Sequence, residues 1–185
     1  MEISSLELLP EIKILKPKKF EDGRGFFSET YNKQRFSDTN IDIEFVQDNQ
    51  SLSEDKFTLR GLHFQSNPYA QDKLVRVLKG SILDVAVDIR KGSSTYGKHI
   101  KYQLSAASFE QILVPKGFAH GILTLEKNTE ILYKVSNFYS QENDHGIMWN
   151  DPILNIDWGI DSDQVILSEK DKNQPSFSDL EDFFI

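Results

Sequence analysis

Apolar and polar residues alternate along most of this chain with a period of two. Residues 81–89 show it most clearly: Asp84, Ala86 and Asp88 fall on one side, and Val85, Val87 and Ile89 on the other. Alternate side chains of a strand point to opposite faces, so this pattern predicts a strand with two distinct surfaces. Comparable short runs occupy residues 25–31, 43–49, 57–65, 73–79, 97–104, 110–114, 121–125 and 130–138. Turn formers separate them, among them Ser66-Asn67-Pro68, Lys91-Gly92-Ser93-Ser94 and Pro115-Lys116-Gly117. Many short strands at this spacing predict an all-β antiparallel sandwich or barrel. Only residues 32–37 and 178–184 read as short helices. No repeat, low-complexity tract or linker interrupts the pattern, so residues 1–185 are expected to form one domain.

Composition narrows the function. The net charge of -8 argues against a nucleic-acid or membrane-surface partner, since both favour basic proteins. A few arginines and lysines in a cleft can still hold a small anion. The absence of cysteine excludes disulfides, thiolate chemistry and Cys-based zinc sites. No window approaches the ~18 apolar residues that span a bilayer. Residues 1–10 carry Glu2 and Glu7 and lack the basic start of a signal peptide, so a cytoplasmic location is expected.

The candidate chemistry begins in Leu59-Arg60-Gly61-Leu62-His63-Phe64-Gln65. A histidine in an apolar strand is ordinarily a hydrogen-bonded core residue. Arg60 shifts that reading, because burying an unpaired guanidinium is very costly and an anion-binding cavity removes the difficulty. Strict alternation would put residues 60 and 63 on opposite faces. A bulge at Gly61 would bring them together. His120 has a similar glycine-flanked setting, and two such histidines point to a cavity lined by proton-transfer groups. Lys73 opens the next strand, either solvated or as a fixed charge facing that cavity. Tyr133 is by itself an ordinary strand tyrosine. Asp171 with Ser168 resembles a helix capping box. Asp84 and Asp88 in an apolar strand need water, cations or donors. Metal-binding β-barrels usually supply a His-x-His pair. The four histidines here (His63, His99, His120, His145) contain none, so no metal is expected. No Gly-x-Gly-x-x-Gly or Walker loop is present, and no cofactor is expected.

In order along the chain, these segments resemble the dTDP-4-dehydrorhamnose 3,5-epimerase family of dTDP-L-rhamnose synthesis. The likeness spans about residues 13–171. It is carried by Asp22-Gly23-Arg24-Gly25-Phe26-Phe27-Ser28-Glu29, Phe45-Val46-Gln47-Asp48-Asn49, Leu59 to Gln65, and Gln71-Asp72-Lys73-Leu74-Val75. It continues through residues 84–90, Pro115 to Gly121, Tyr133-Lys134, Trp149-Asn150-Asp151-Pro152 and Leu167 to Asp171.

The resemblance implies a metal-free cupin double-stranded β-helix, a jelly-roll-like barrel with a few short peripheral helices, usually a homodimer. Its substrate would be a nucleotide-linked 4-keto-6-deoxy sugar. On this likeness His63 is the general base, Asp171 its orienting carboxylate, Tyr133 the proton donor, and Lys73 the residue near the 4-keto oxygen. Arg60 and His120 match ligand contacts. Arg24, Phe27, Glu29, Gln47, Asn49, Asp144 and Lys170 match nucleotide-sugar contacts, with Arg24 and Glu29 reaching in from the partner subunit. Tyr139 matches the aromatic that stacks on the base. Three positions depart from the family's habit: Asp144 where glutamate is common, Gly159 where proline is usual, and His99 where tryptophan is frequent. Relatives that invert one carbon, or take another nucleotide or sugar, share the same proton-transfer set. A non-catalytic sugar-binding barrel would have no use for a base opposed by an acid.

Overall fold

In a computed structural model, residues 1–181, 183 and 184 are described. In chain order the strands are β1 (Glu2–Ser5), β2 (Lys13–Lys16), β3 (Phe20–Asp22), β4 (Gly25–Phe27), β5 (Gln47–Ser53), β6 (Leu59–Gln65) and β7 (Lys73–Lys79). They continue with β8 (Ser81–Asp88), β9 (His99–Ser105), β10 (Gln111–Val114), β11 (Phe118–Thr124), β12 (Thr129–Val135) and β13 (Asp144–Gly146). Of two short helices, α1 (Lys33–Ser37) lies between β4 and β5, and α2 (Glu169–Lys172) follows β13. One sheet runs β1-β2-β10-β7-β12-β5 and the other β13-β6-β11-β8-β9, both antiparallel throughout.

The alternation of β8 explains the layering. Ile82 and Ala86 join Val75, Ile112 and Ile131 of the opposite sheet in a cluster enclosed between the sheets. Val85 and Val87 point outward into a second cluster with Ile147, Trp149, Leu154 and Trp158. The C-terminal segment thus covers the outer face of the five-stranded sheet, which is why β11 is buried at every position. A third cluster around Leu15, Phe36, Leu74 and Leu113 places α1 on the outer face of the six-stranded sheet. The all-β barrel expected from the sequence is the fold observed.

Some elements differ from the sequence pattern. The run at 43–49 becomes β5 at Gln47–Ser53, where polar residues alternate and Leu52 is the lone apolar side chain. The run at 25–31 yields only the three residues of β4, which pair with β3 in a separate two-stranded sheet. Helix 32–37 forms as α1, with the Asn32 side chain capping Arg35 N–H. The helix expected at 178–184 does not form, and Asp182 lies outside the described residues. Phe177–Asp179 makes one 3-10 turn, and Leu180, Phe183 and Phe184 pack against the outer cluster instead. Tertiary packing of those rings wins over their helix-like spacing.

Candidate active site

Gly61 decides where the two chemical residues of β6 point. In the pairing of β6 with β11, His63 lies opposite His120 and Arg60 opposite Ile122. Two β6 residues therefore face the single Gly121, which is the bulge that the sequence called for. Gly61 has φ 136°, and a Cβ there would lie 2.5 Å from the Gly121 Cα and 2.8 Å from the His120 carbonyl oxygen. No other residue fits. The extra residue turns Arg60 and His63 to the same cavity. Arg60 is exposed rather than buried, with Nε donating to Ser53 Oγ at 3.4 Å, so its desolvation cost is largely avoided.

This cavity, of about 260 Å³, opens between the sheets. The five-stranded sheet contributes Arg60, His63 and His120, and the six-stranded sheet faces them with Ser51, Lys73 and Tyr133. Val75, Ile122 and Ile131 form its apolar wall, and Ser168 and Asp171 close one side.

Asp171 serves two purposes at once. Its backbone N–H donates to the N-cap Ser168 Oγ at 3.1 Å, which starts α2 as the capping reading expected. Its Oδ2 accepts from the Ser168 hydroxyl at 2.8 Å, and its Oδ1 lies 2.5 Å from His63 Nε2. Burial acts to raise the Asp171 pKa, but His63, the Ser168 hydroxyl and the Gly61 backbone N–H outweigh it and hold it below the ordinary carboxylate value. An ionised carboxylate fixes the His63 tautomer and leaves the other ring nitrogen free as a base.

The carboxylates of β8 divide between chemistry and architecture. Both Asp84 oxygens lie 2.9 Å from His120 Nε2, a fully buried carboxylate beside a buried ring. Asp88 instead accepts from Arg90, Ser93 and Thr95. Burial acts to raise its pKa, but those donors bring it down to about 2. Asp88 is structural.

Lys73 and Tyr133 are tuned by enclosure. Burial lowers Lys73 to about 8 against the pull of Asp144 and Asp84, and its Nζ lies 3.4 Å from the His63 carbonyl oxygen. Burial raises Tyr133, an effect Arg60 opposes and Asp144 reinforces, so its hydroxyl stays protonated at neutral pH.

A second cavity of about 210 Å³ adjoins the first, sharing His63, Lys73 and Tyr133. It adds Gln47, Asn49, Tyr139 and Asp144, all expected from the sequence, with Gln47 Nε2 donating to Asn49 Oδ1 at 2.8 Å. Asp144 Oδ2 accepts from the Tyr139 hydroxyl at 3.1 Å and from Lys170 Nζ at 2.5 Å. Arg24, Phe27 and Glu29 line neither cavity. Arg24 is exposed and pairs with Asp22, Phe27 is 69% exposed, and Glu29 pairs with Arg35 at 3.0 Å. Sequence reasoning missed Ser51 and saw Ser168 only as a cap. A signal for Ser51 existed: Gln47, Asn49, Ser51 and Ser53 put a polar residue at every inward position of β5. Among the described residues, no three His, Asp or Glu side chains converge as metal ligands. Among the same residues, no helix is long and apolar enough to cross a membrane.

A carboxylate-held histidine, a half-buried lysine and a protonated tyrosine meet in one cavity of an antiparallel barrel, a cupin-fold site furnished with proton-transfer groups. A family model described as dTDP-4-dehydrorhamnose 3,5-epimerase matches residues 7–179. The protein of that name from Sinorhizobium fredii (strain NBRC 101917 / NGR234) is 49% identical over 172 residues, covering 93% of this chain and 88% of that one. The Bacillus anthracis epimerase crystallised with TDP and PPi superposes with a TM-score of 0.91 at 46% identity, covering 95% of this chain and 99% of that one. The Legionella pneumophila enzyme in complex with dTDP-4-keto-L-rhamnose gives 0.91 at 41% identity, covering 97% and 94%. The chain belongs to the dTDP-4-dehydrorhamnose 3,5-epimerase family.

Proposed function

We propose that this protein converts dTDP-4-dehydro-6-deoxy-D-glucose to dTDP-4-dehydro-L-rhamnose by inverting C3 and C5. The observation that carries this reading is the His63–Asp171 pair, at 2.5 Å, facing Tyr133 from the opposite sheet across one cavity. C3 and C5 flank the C4 ketone, so removing either hydrogen gives an enolate with its charge on O4. His63 takes the proton and becomes imidazolium, which Asp171 stabilises. Lys73 stabilises the charge on O4. Tyr133 returns a proton from the other face and inverts the carbon. The nucleotide lies in the adjoining cavity, with Tyr139 stacked on the base and Gln47, Asn49 and Lys170 beside it. The Bacillus and Legionella relatives crystallised with TDP and with dTDP-4-keto-L-rhamnose support that choice of ligand. Arg60 and His120 contact the substrate in the first cavity. No metal takes part. Incubating chelator-treated protein with the substrate in D2O should place deuterium at both C3 and C5. Label at one carbon only, or a rate restored by a divalent ion, would overturn the corresponding part.

Lys73 predicts a pH limb. Burial has already pulled its pKa down, so the ammonium that stabilises O4 is lost as pH rises through about 8. In the free enzyme kcat/KM should therefore fall above that pH. Lys73→Gln should lower the rate by roughly 10²-fold and abolish the limb. A limb that persists in the variant assigns it elsewhere.

The protein works as a homodimer with shared sites, in the cytoplasm. The β3–β4 hairpin supports this, because it carries Arg24 away from its own cavity and exposes Phe20, Phe26 and Phe27. Arg24→Ala and His63→Ala proteins, each inactive alone, should regain activity when mixed into hybrid dimers. Verified hybrids without activity would refute sharing.

A further inference from the structure

Gln65 ends the strand that carries His63, and its side chain is buried although it is polar. Its Nε2 donates to the Tyr69 carbonyl at 2.7 Å and to the Phe138 carbonyl at 3.0 Å. Its Oε1 accepts from the Ser140 N–H at 2.7 Å. Both amide hydrogens are used, and the reverse orientation would set NH2 against an N–H and oxygen against two carbonyls. The amide is therefore fixed in direction.

Two of these bonds flank one residue. Phe138 and Ser140 bracket Tyr139, which is 59% exposed and has little packing of its own to hold it. The tip of Tyr139 is fixed separately, through Asp144 and Lys170. The loop's other contacts reinforce the grip: Gln71 Nε2 donates to the Asn137 carbonyl at 2.8 Å, and Asn143 Nδ2 to Ser140 Oγ at 2.8 Å.

We propose that Gln65 is a positioning residue that holds the backbone on both sides of Tyr139 and so presets the aromatic platform for the nucleobase. The proposal rests on the reading that Tyr139 stacks on the base. An exposed aromatic on a loose loop gives up ordering free energy when a base lands on it, and a preset one does not. Gln65 thereby joins the catalytic strand to nucleotide recognition without touching the reacting carbons.

Calorimetric titration with dTDP alone tests this, using Gln65→Met, Tyr139→Ala and the double variant. Gln65→Met keeps the length of the side chain and removes its hydrogen bonds. It should weaken dTDP binding by about tenfold, the scale of one or two net hydrogen bonds. KM should rise in step, while kcat falls by less than about threefold. The double variant should bind dTDP no more weakly than Tyr139→Ala alone, because the platform is already gone. Losses that multiply in the double variant would overturn the proposal. So would a fall in kcat with dTDP affinity kept, which would mean that Gln65 acts through His63. If Gln65→Met does not fold, Gln65→Glu keeps the acceptor for Ser140 and loses both donors, and it should shift affinity in the same direction. Unchanged affinity in Tyr139→Ala would refute stacking itself, and that arm shows it independently of Gln65.

Discussion

His63→Ala should remove hydrogen exchange from both C3 and C5, lowering the rate by about 10³-fold or more, within the range of a lost general base. The size of the effect follows from the geometry. His63 is the ring oriented by the cavity's Asp171, while the other histidine of the cavity, His120, has its Nε2 against both oxygens of the buried Asp84. His120 is held by a carboxylate in the same way, so any exchange left in the variant points to that ring. The substitution also leaves Asp171 beside an empty space, but Ser168 and the Gly61 N–H still satisfy that carboxylate. The fold should survive, and dTDP binding should persist because Tyr139, Lys170 and Asn49 are untouched. Measuring label at each carbon by NMR separates the positions. Exchange at near the wild-type rate at either carbon would mean that a second base serves it.

Much of the barrel was legible because its strands obey simple alternation, and β8 is the clearest case. Asp84 and Asp88 broke that strand's apolar face, and each break had its own cause, a histidine partner for one and an arginine-hydroxyl cluster for the other. Alternation alone could not choose between those causes, since the partners lie 36 residues away for Asp84 and 2 to 7 away for Asp88. β5 was misplaced because its inward face is polar, lining a cavity rather than a core. Residues 178–184 misled for the opposite reason: their apolar spacing suits a helix, but the rings are consumed by the outer sheet face. Arg60 and His63 were recognisable as a pair only by allowing a bulge, and Gly61 was the one residue that permitted it. The positions of Arg24, Phe27 and Glu29 had no counterpart in local pattern at all. They lie on or just beyond an exposed hairpin that lines neither cavity.

Tyr133→Phe should stop inversion without stopping deprotonation. Tyr133 lies on β12 in the six-stranded sheet and His63 on β6 in the five-stranded sheet, so the two face the cavity from opposite sides. In the variant His63 still removes the proton, and Lys73 still stabilises O4. The enolate then has no donor on the far face and recaptures a proton from His63 on the original one. In D2O that proton carries label to the extent that the imidazolium exchanges with solvent first. Deuterium should therefore enter unepimerised sugar, while formation of inverted product falls by about 10²-fold or more. Phe keeps the ring and its packing against the inner cluster, and the Tyr133 hydroxyl has no hydrogen bond among the described residues that its loss would strand. Binding should change little. The raised pKa of Tyr133 sharpens the expectation, because a group that holds its proton to high pH is available as an acid throughout the neutral range. Inverted product at the wild-type rate would remove Tyr133 from the donor role. Loss of exchange together with inversion, with dTDP affinity intact, would instead make the hydroxyl part of the deprotonation step.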